Sequence, residues 1–345
     1  ALLGYTAQTT SETTASIVGL GFPTDYVHTL NAATSFDVSQ TNTIKFRTAM
    51  MSALARVNYS YADKYLVSAS LRTDGSSLFA DGKQWGWFPS VSLGWRASEE
   101  AFLKGVSWLN MLKLRASFGV TGNQDIAAYS TLGMLSGASY GWGTSTSSTG
   151  YWGYQFATPG ITWEKTYQYD LGLDMSIGGF NITVDWFKKQ TKDLLFQKQV
   201  PKYNGGGTYW VNQGKLNNTG VELSLTTFPV KEAVTWETSL NASYVKNEVA
   251  DLAGDDFVLT ANYSDLGGPM QIMKPGYPMG SFYVYQWKGF DDKGANLYQK
   301  ADGSLTTNPT SDDLVVKGQA SPKWTVGWNL SLIHISEPTR RRGIS

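Results

Sequence analysis

Tyr65-Leu66-Val67-Ser68-Ala69-Ser70-Leu71-Arg72 repeats every two residues. Tyr65, Val67, Ala69 and Leu71 fall on one side, Ser68, Ser70 and Arg72 on the other, with Leu66 the single misfit. The same device returns at 90–96, where Val91, Leu93 and Trp95 oppose Ser92, Gly94 and Arg96. It returns again at 112–120, where Leu112, Leu114, Ala116, Phe118 and Val120 oppose Lys113, Arg115, Ser117 and Gly119. Successive strand side chains point to opposite faces, so each segment reads as a strand with one apolar and one polar face. None carries the period of a helix.

Further strands are expected at 44–60, 167–177, 182–191, 221–226, 236–245 and 323–332, with tight turns at Ala62-Asp63 and Gly178-Gly179. Residues 1–42, rich in Thr and Ser, read as a loop with room for a short hairpin. Ser98 is placed to cap one helical turn over 98–103. Segment 122–164 offers no strand long enough to trust, and 249–321 again reads as loop, apart from a local pattern at 282–289.

Alternation alone fits a soluble β-sandwich as well as a membrane barrel, since both have one wet face. Strand length and loop order separate them. Ordinary strands run about five or six residues, whereas several here reach about ten, enough to cross a bilayer at a tilt. The connections near 62, 98–110, 178 and 230 are short to medium, and those at 74–86, 122–164, 192–213 and 249–321 are long. Short turns on one side and long loops on the other are the asymmetry of an outer-membrane barrel.

Composition agrees. The 345 residues carry 28 basic and 28 acidic side chains, so no clustered charge argues for nucleic acid. Aromatics make up 14%, with 13 Trp and 19 Tyr, and there are 36 Gly, as suits tight turns and aromatic rims. With no cysteine, a disulfide framework, a cysteine-ligated zinc and a thiol nucleophile are all excluded. No apolar run is long enough for a transmembrane helix. The start, Ala1-Leu2-Leu3-Gly4-Tyr5, is neither a signal peptide nor an obvious start of translation, so the chain is expected to be a piece of a longer one.

Chemistry has little to work with, and no enzyme, cofactor or metal site is expected. Only His28 and His334 could serve as imidazole bases. Asn204-Gly205-Gly206-Gly207 lacks the Lys-Ser/Thr of a phosphate loop and reads as a flexible turn. Asp291-Asp292-Lys293-Gly294 and Asp302-Gly303-Ser304 are oxygen-rich turns whose spacing does not match an EF-hand, so solvated acids are expected over calcium. The loop aromatics have a functional reading. Trp142, Tyr151, Trp152 and Tyr154 in one loop, and Tyr209 and Trp210 in another, are candidates to hold sugar rings or a partner protein. Loop-to-loop packing and membrane-interface anchoring are the plainer alternatives.

Several blocks resemble SusC/RagA-type TonB-linked outer-membrane transporters, in order along the chain. They include Asn58-Tyr59-Ser60-Tyr61-Ala62-Asp63-Lys64-Tyr65-Leu66, Arg72-Thr73-Asp74-Gly75-Ser76-Ser77 and Trp87-Phe88-Pro89-Ser90. Further on come Thr121-Gly122-Asn123-Gln124, Thr162-Trp163-Glu164-Lys165-Thr166, Lys192-Asp193-Leu194-Leu195 and Asn218-Thr219-Gly220-Val221-Glu222-Leu223. Gly276-Tyr277-Pro278-Met279-Gly280-Ser281 and Ser321-Pro322-Lys323-Trp324 complete the series.

The resemblance implies an all-β, antiparallel transmembrane β-barrel wall. About nine to eleven strands of a barrel of about 22 are expected here, around a plug that lies outside these residues. It implies outer-membrane import of glycans or peptides, with a SusD-like surface lipoprotein and the TonB complex as partners. Residues 1–42 are then a loop preceding the barrel, 43–332 a partial barrel, and 333–345 a non-native tail resembling adapter read-through. A carbohydrate-binding β-sandwich, soluble or surface-anchored, is the competing reading.

Overall fold

The computed structural model describes residues 1–27, 29–142, 146–231, 234–263 and 268–334. Strands β1 (Leu2–Ser16), β2 (Gly19–Leu20), β3 (Ser35–Phe36), β4 (Asn42–Tyr61), β5 (Tyr65–Ser76), β6 (Trp85–Arg96) and β7 (Leu109–Asn123) come first. Next are β8 (Met134–Trp142), β9 (Thr146–Gln155), β10 (Glu164–Ile177), β11 (Phe180–Lys192), β12 (Leu195–Gln199), β13 (Thr208–Asn212) and β14 (Lys215–Lys231). The last are β15 (Val234–Asp251), β16 (Val258–Tyr263), β17 (Gly268–Met273), β18 (Ser281–Phe290), β19 (Asn296–Gln299), β20 (Leu305–Thr306), β21 (Leu314–Gln319) and β22 (Trp324–His334).

Ten of them form one sheet in the order β1-β4-β5-β6-β7-β10-β11-β14-β15-β22. The order follows the chain, so this is an up-and-down antiparallel meander, and the strands it skips belong to the long connections. The sheet is open, with β1 and β22 at its edges. The expected short turns are tight: Ala62 and Asp63 have φ of 52° and 55°, and Gly178 and Gly179 have 53° and 92°. Two positive φ values in succession match the twist of the flanking strands, and glycine takes them without strain.

Register shows why the sheet is a membrane wall. One apolar row runs Val67, Leu93, Ala116, Leu171, Trp186, Val221, Tyr244, Trp324 across eight neighbouring strands. A sandwich would bury such a row against a second sheet. Here Leu171 is 56% exposed and Trp324 64%. Along β5 the burial is inverted: Tyr65, Val67, Ala69 and Leu71 are exposed, while Ser68 and Ser70 between them are half-buried. Apolar outside and polar inside is the logic of a wall facing lipid, and it removes the sandwich reading.

Aromatic side chains bound the apolar band. Tyr61, Tyr65 and Phe180 stand exposed at the short-turn end, and Trp85 and Trp87 at the long-loop end. Thr73 and Gly75 pair with Trp87 and Trp85. From Tyr65 to those two positions is about 27–34 Å of strand, or about 20–25 Å across the membrane at a tilt near 40°.

Several expectations are corrected. Residues 2–16 are not loop: β1 pairs with β4 from Leu2↔Arg56 to Ser16↔Asn42. Its run of Thr, Ser and Gln lacks alternation because backbone pairing, which sequence pattern does not report, holds it. The helical turn is a short 3-10 turn over Ala97–Glu99 with no side-chain cap, so Ser98 lies inside it. Strands β8 and β9 fill the segment expected to hold none, and β16 to β21 build a separate small sheet between β15 and β22. At the other end β22 continues through Ile333 and His334, paired with Thr235 and Val234. The rest of the expected tail, 335–345, and His28 lie outside the described residues.

Candidate functional site

The polar face of the wall is braced by charge. Arg115 Nε and a terminal nitrogen reach both oxygens of Asp174 at 2.8 and 2.9 Å, and the same terminal nitrogen lies 2.9 Å from Asp185. Arg115, Gly172 and Asp185 stand side by side on β7, β10 and β11. Arg115 therefore spans β10, which only a residue without a side chain permits. A Cβ on Gly172 would sit 2.5 Å from the guanidinium carbon and 2.5 Å from Asp185 Oδ1. Beside this brace, Ser68, Ser92, Ser117 and Asp170 line a shallow groove, with Ser117 donating to Asp170 at 2.9 Å.

At the long-loop end a compact core replaces the open wall. Phe79, Phe88, Val120, Ile126, Ile161 and Trp163 are buried together, with Leu195 and Trp210 packed against them. Phe79 and Phe88 meet the Trp163 ring at 5.4 and 5.3 Å between centroids. These residues come from the connections 77–84, 124–163 and 193–214 and from the strand ends between them.

Above this core the two aromatic loops join. β8 and β9 form a hairpin, β12 and β13 a second, and β13 runs parallel to β9 at Thr208↔Gln155, giving a sheet β12-β13-β9-β8. Trp152 and Tyr154 share one face, their rings edge to face at 6.4 Å, with Trp152 43% exposed. Tyr154 Oη donates to Met134 Sδ at 2.8 Å. Tyr151 points to the opposite face and is 73% exposed. Tyr209 is half-buried on β13, and Trp210 packs into the core beneath. Trp142 ends β8, and its side chain lies outside the described residues. The structure thus pairs Trp152 with Tyr154, separates Tyr151 from them, and gives Trp210 a packing role.

A second aromatic pair stands on β18, outside the candidate loop aromatics. Trp287 and Phe290, on β18, are exposed and meet edge to face at 5.5 Å, and Trp287 Nε1 donates to Asn296 at 3.1 Å. The alternation at 282–289 was the available signal. The acidic turns spend their carboxylates on their own chain. Asp291 Oδ1 accepts from the backbone N–H groups of Lys293 and Ala295, both at 2.8 Å, and Asp302 Oδ1 from Ser304 at 2.9 Å. Among the described residues no three His, Cys, Asp or Glu side chains gather at metal-binding distance.

Residues 2–332 match the family model for the TonB dependent receptor-like β-barrel. TonB-dependent receptor P39 of Formosa agariphila is 33% identical over 311 residues, covering 89% of this chain and 29% of that protein. TonB-dependent receptor SusC of Bacteroides thetaiotaomicron is 34% identical over 294 residues, covering 79% and 29%. Among solved structures, the RagAB peptide importer in its open-open state superposes with a TM-score of 0.76 at 25% identity, covering 96% of this chain and 37% of that one. The chain spans less than a third of the length of these two curated relatives. Meander, inverted burial and family match agree: the chain belongs to the TonB-dependent receptor-like β-barrels of SusC/RagA type and forms outer-membrane barrel wall.

Proposed function

We propose that this wall and its loops belong to a TonB-dependent outer-membrane transporter that imports oligosaccharides with a SusD-like lipoprotein docked on the long-loop side. The Trp152–Tyr154 face is the contact for substrate or lipoprotein. The carrying observation is the position of that face: an exposed, edge-to-face aromatic pair on a sheet standing above the buried loop core. Flat rings of this kind cover sugar faces at low entropic cost. A peptide cargo is the second reading, favoured by the likeness to a structure described as a peptide importer. Energy coupling to TonB, on this reading, runs through parts of the receptor outside these residues.

The test uses the full-length receptor, purified in detergent. Trp152→Ala should weaken capture of an oligosaccharide mixture about tenfold, as expected for loss of one stacked ring. Barrel insertion, read as heat-modifiable gel mobility, should be unchanged. A peptide mixture run in parallel separates the two cargo readings. Normal capture of both mixtures, and of the lipoprotein, would remove the face from the mechanism.

A further inference from the structure

Side chains at the base of the long connections grip the backbone of their neighbours. Trp163 Nε1 donates to the Gln84 carbonyl at 2.8 Å, and Thr162 Oγ1 to the Lys83 carbonyl at 3.0 Å. These tie connection 124–163 to 77–84. Asn212 closes a ring on Thr162: its Oδ1 accepts the Thr162 N–H at 2.7 Å, and its Nδ2 donates to the Thr162 carbonyl at 2.8 Å. The same Nδ2 donates to the Asp193 carbonyl at 3.0 Å. Glu164 accepts the Leu195 N–H at 2.9 Å and Asn123 Nδ2 at 3.3 Å. Gln213 serves the next connection, donating to the Leu252 carbonyl, to the Ala253 carbonyl at 3.2 Å and to the Asp255 carboxylate at 3.2 Å.

Adjacent residues of extended chain project in opposite directions, so one Asn-Gln dipeptide can hold two neighbouring connections at once. Bonds to backbone groups fix the path of a loop, and partly buried ones cannot be traded freely for water. The apolar core is an independent observation with the same content, because Phe79, Ile161 and Trp210 come from three different connections. The β9–β13 contact adds a third link, with Phe156 N–H donating to the Thr208 carbonyl at 2.9 Å.

We propose that Trp163, Glu164, Asn212 and Gln213 are positioning residues that lace connections 77–84, 124–163, 193–214 and the start of 252–323 into one rigid collar. The Trp152–Tyr154 face is then held at a fixed place on the rim instead of riding on a free hairpin. Its value for capture rests on the function proposed above; the lacing does not. A contact surface organised beforehand loses less conformational entropy when it is occupied.

The chain contains no cysteine, so paired spin labels can be placed cleanly once any cysteine elsewhere in the full-length receptor is changed to serine. Labels at Thr149→Cys on the aromatic hairpin and Lys202→Cys in connection 193–214 report the relative motion of the two loops without any ligand. A single narrow distance is expected. Asn212→Asp keeps the shape but loses the donor to the Thr162 and Asp193 carbonyls, and should broaden that distance; a purely steric role would leave it narrow. Trp163→Phe, which keeps an aromatic ring but loses the bond to Gln84 together with the pyrrole part of the indole, should broaden the distance between labels at Thr149→Cys and Asp81→Cys. A broad distance in the otherwise native receptor, or narrow ones in both variants, would overturn the collar. Failure of the Trp152→Ala capture test leaves these distances untouched, so the two ideas fall separately.

Discussion

The wall and the collar obey opposite rules within one chain. On the wall, Leu171 and Val326 stand open while the serines between apolar neighbours are partly covered. In the collar, Phe79 and Trp163 are 2% and 3% exposed. The wall satisfies its backbone through strand pairing and leaves its apolar side chains to lipid, which is as apolar as they are. The collar stands in water and must exclude it in the ordinary way, with a packed core and bonded polar groups. Identical chemistry therefore has different consequences on either side of the Trp85–Trp87 girdle.

The largest effect should come from truncating an aromatic anchor of the collar. Trp163→Ala should cost about 3–5 kcal/mol, because a buried indole leaves a cavity and strands its hydrogen-bond partner. Urea unfolding of the full-length receptor in detergent measures it. The matching change on the wall, Leu171→Ala, should cost well under that, since lipid or detergent fills the space. Equal losses at the two sites would break the contrast.

Next in size is charge on the lipid face. Leu223 sits near the middle of β14, paired with Val184 and Ala242. Leu223→Arg should cost about 2–4 kcal/mol at the bilayer midplane. Ser224→Arg, one residue on and facing the lumen, should be tolerated. Folding yield into lipid vesicles ranks the pair, and equal tolerance would argue against the facing assigned here. Leu93 and Leu114 share the outward face, and Ser92 the inward one, so they allow the same comparison nearer the short turns.

This division also decides what could be read from sequence. The wall was legible because alternation is a local signal, and Val67, Leu93 and Ala116 announce their face without knowledge of their partners. The loop asymmetry was legible for the same reason. Strand β1 was not, since beyond the short alternation of Leu3, Tyr5 and Ala7 its run from Gln8 to Ser16 shows no apolar side and is fixed by pairing with residues from Met50 back to Asn42. The collar was illegible for a different reason: Trp163 and Gln84, or Asn212 and Thr162, are far apart in sequence and meet only in the fold. The block Thr162-Trp163-Glu164 stood out as a family resemblance, and the structure supplies its physical content. Of the six aromatic candidates, sequence could not tell Trp152, which is open, from Trp210, which packs into the core.

The smallest effect lies where the wall meets water on the short-turn side. Glu100, in the connection after β6, accepts from Tyr65 Oη at 2.8 Å, Lys64 Nζ at 3.0 Å and Trp95 Nε1 at 3.3 Å. Tyr65 and Trp95 are rim aromatics whose apolar bodies face lipid, so this carboxylate collects the polar tips of both, as amphipathic rings at an interface require. Bonding from Tyr65 first, then Lys64 and Trp95, holds the Glu100 carboxyl below its ordinary value of 4.5. A depressed carboxylate stabilises the fold fully above that ordinary value, and the contribution disappears as pH falls through the lowered one. Heat resistance of the receptor should therefore drop on acidification below about pH 4.5 more steeply than in Glu100→Gln, which has no charge to lose. Asp313, in the connection 252–323, is also held below its ordinary value, so both proteins will weaken in acid, and only the difference between their profiles reports Glu100. Superimposable profiles would mean that the charge on Glu100 contributes nothing to anchoring the rim aromatics.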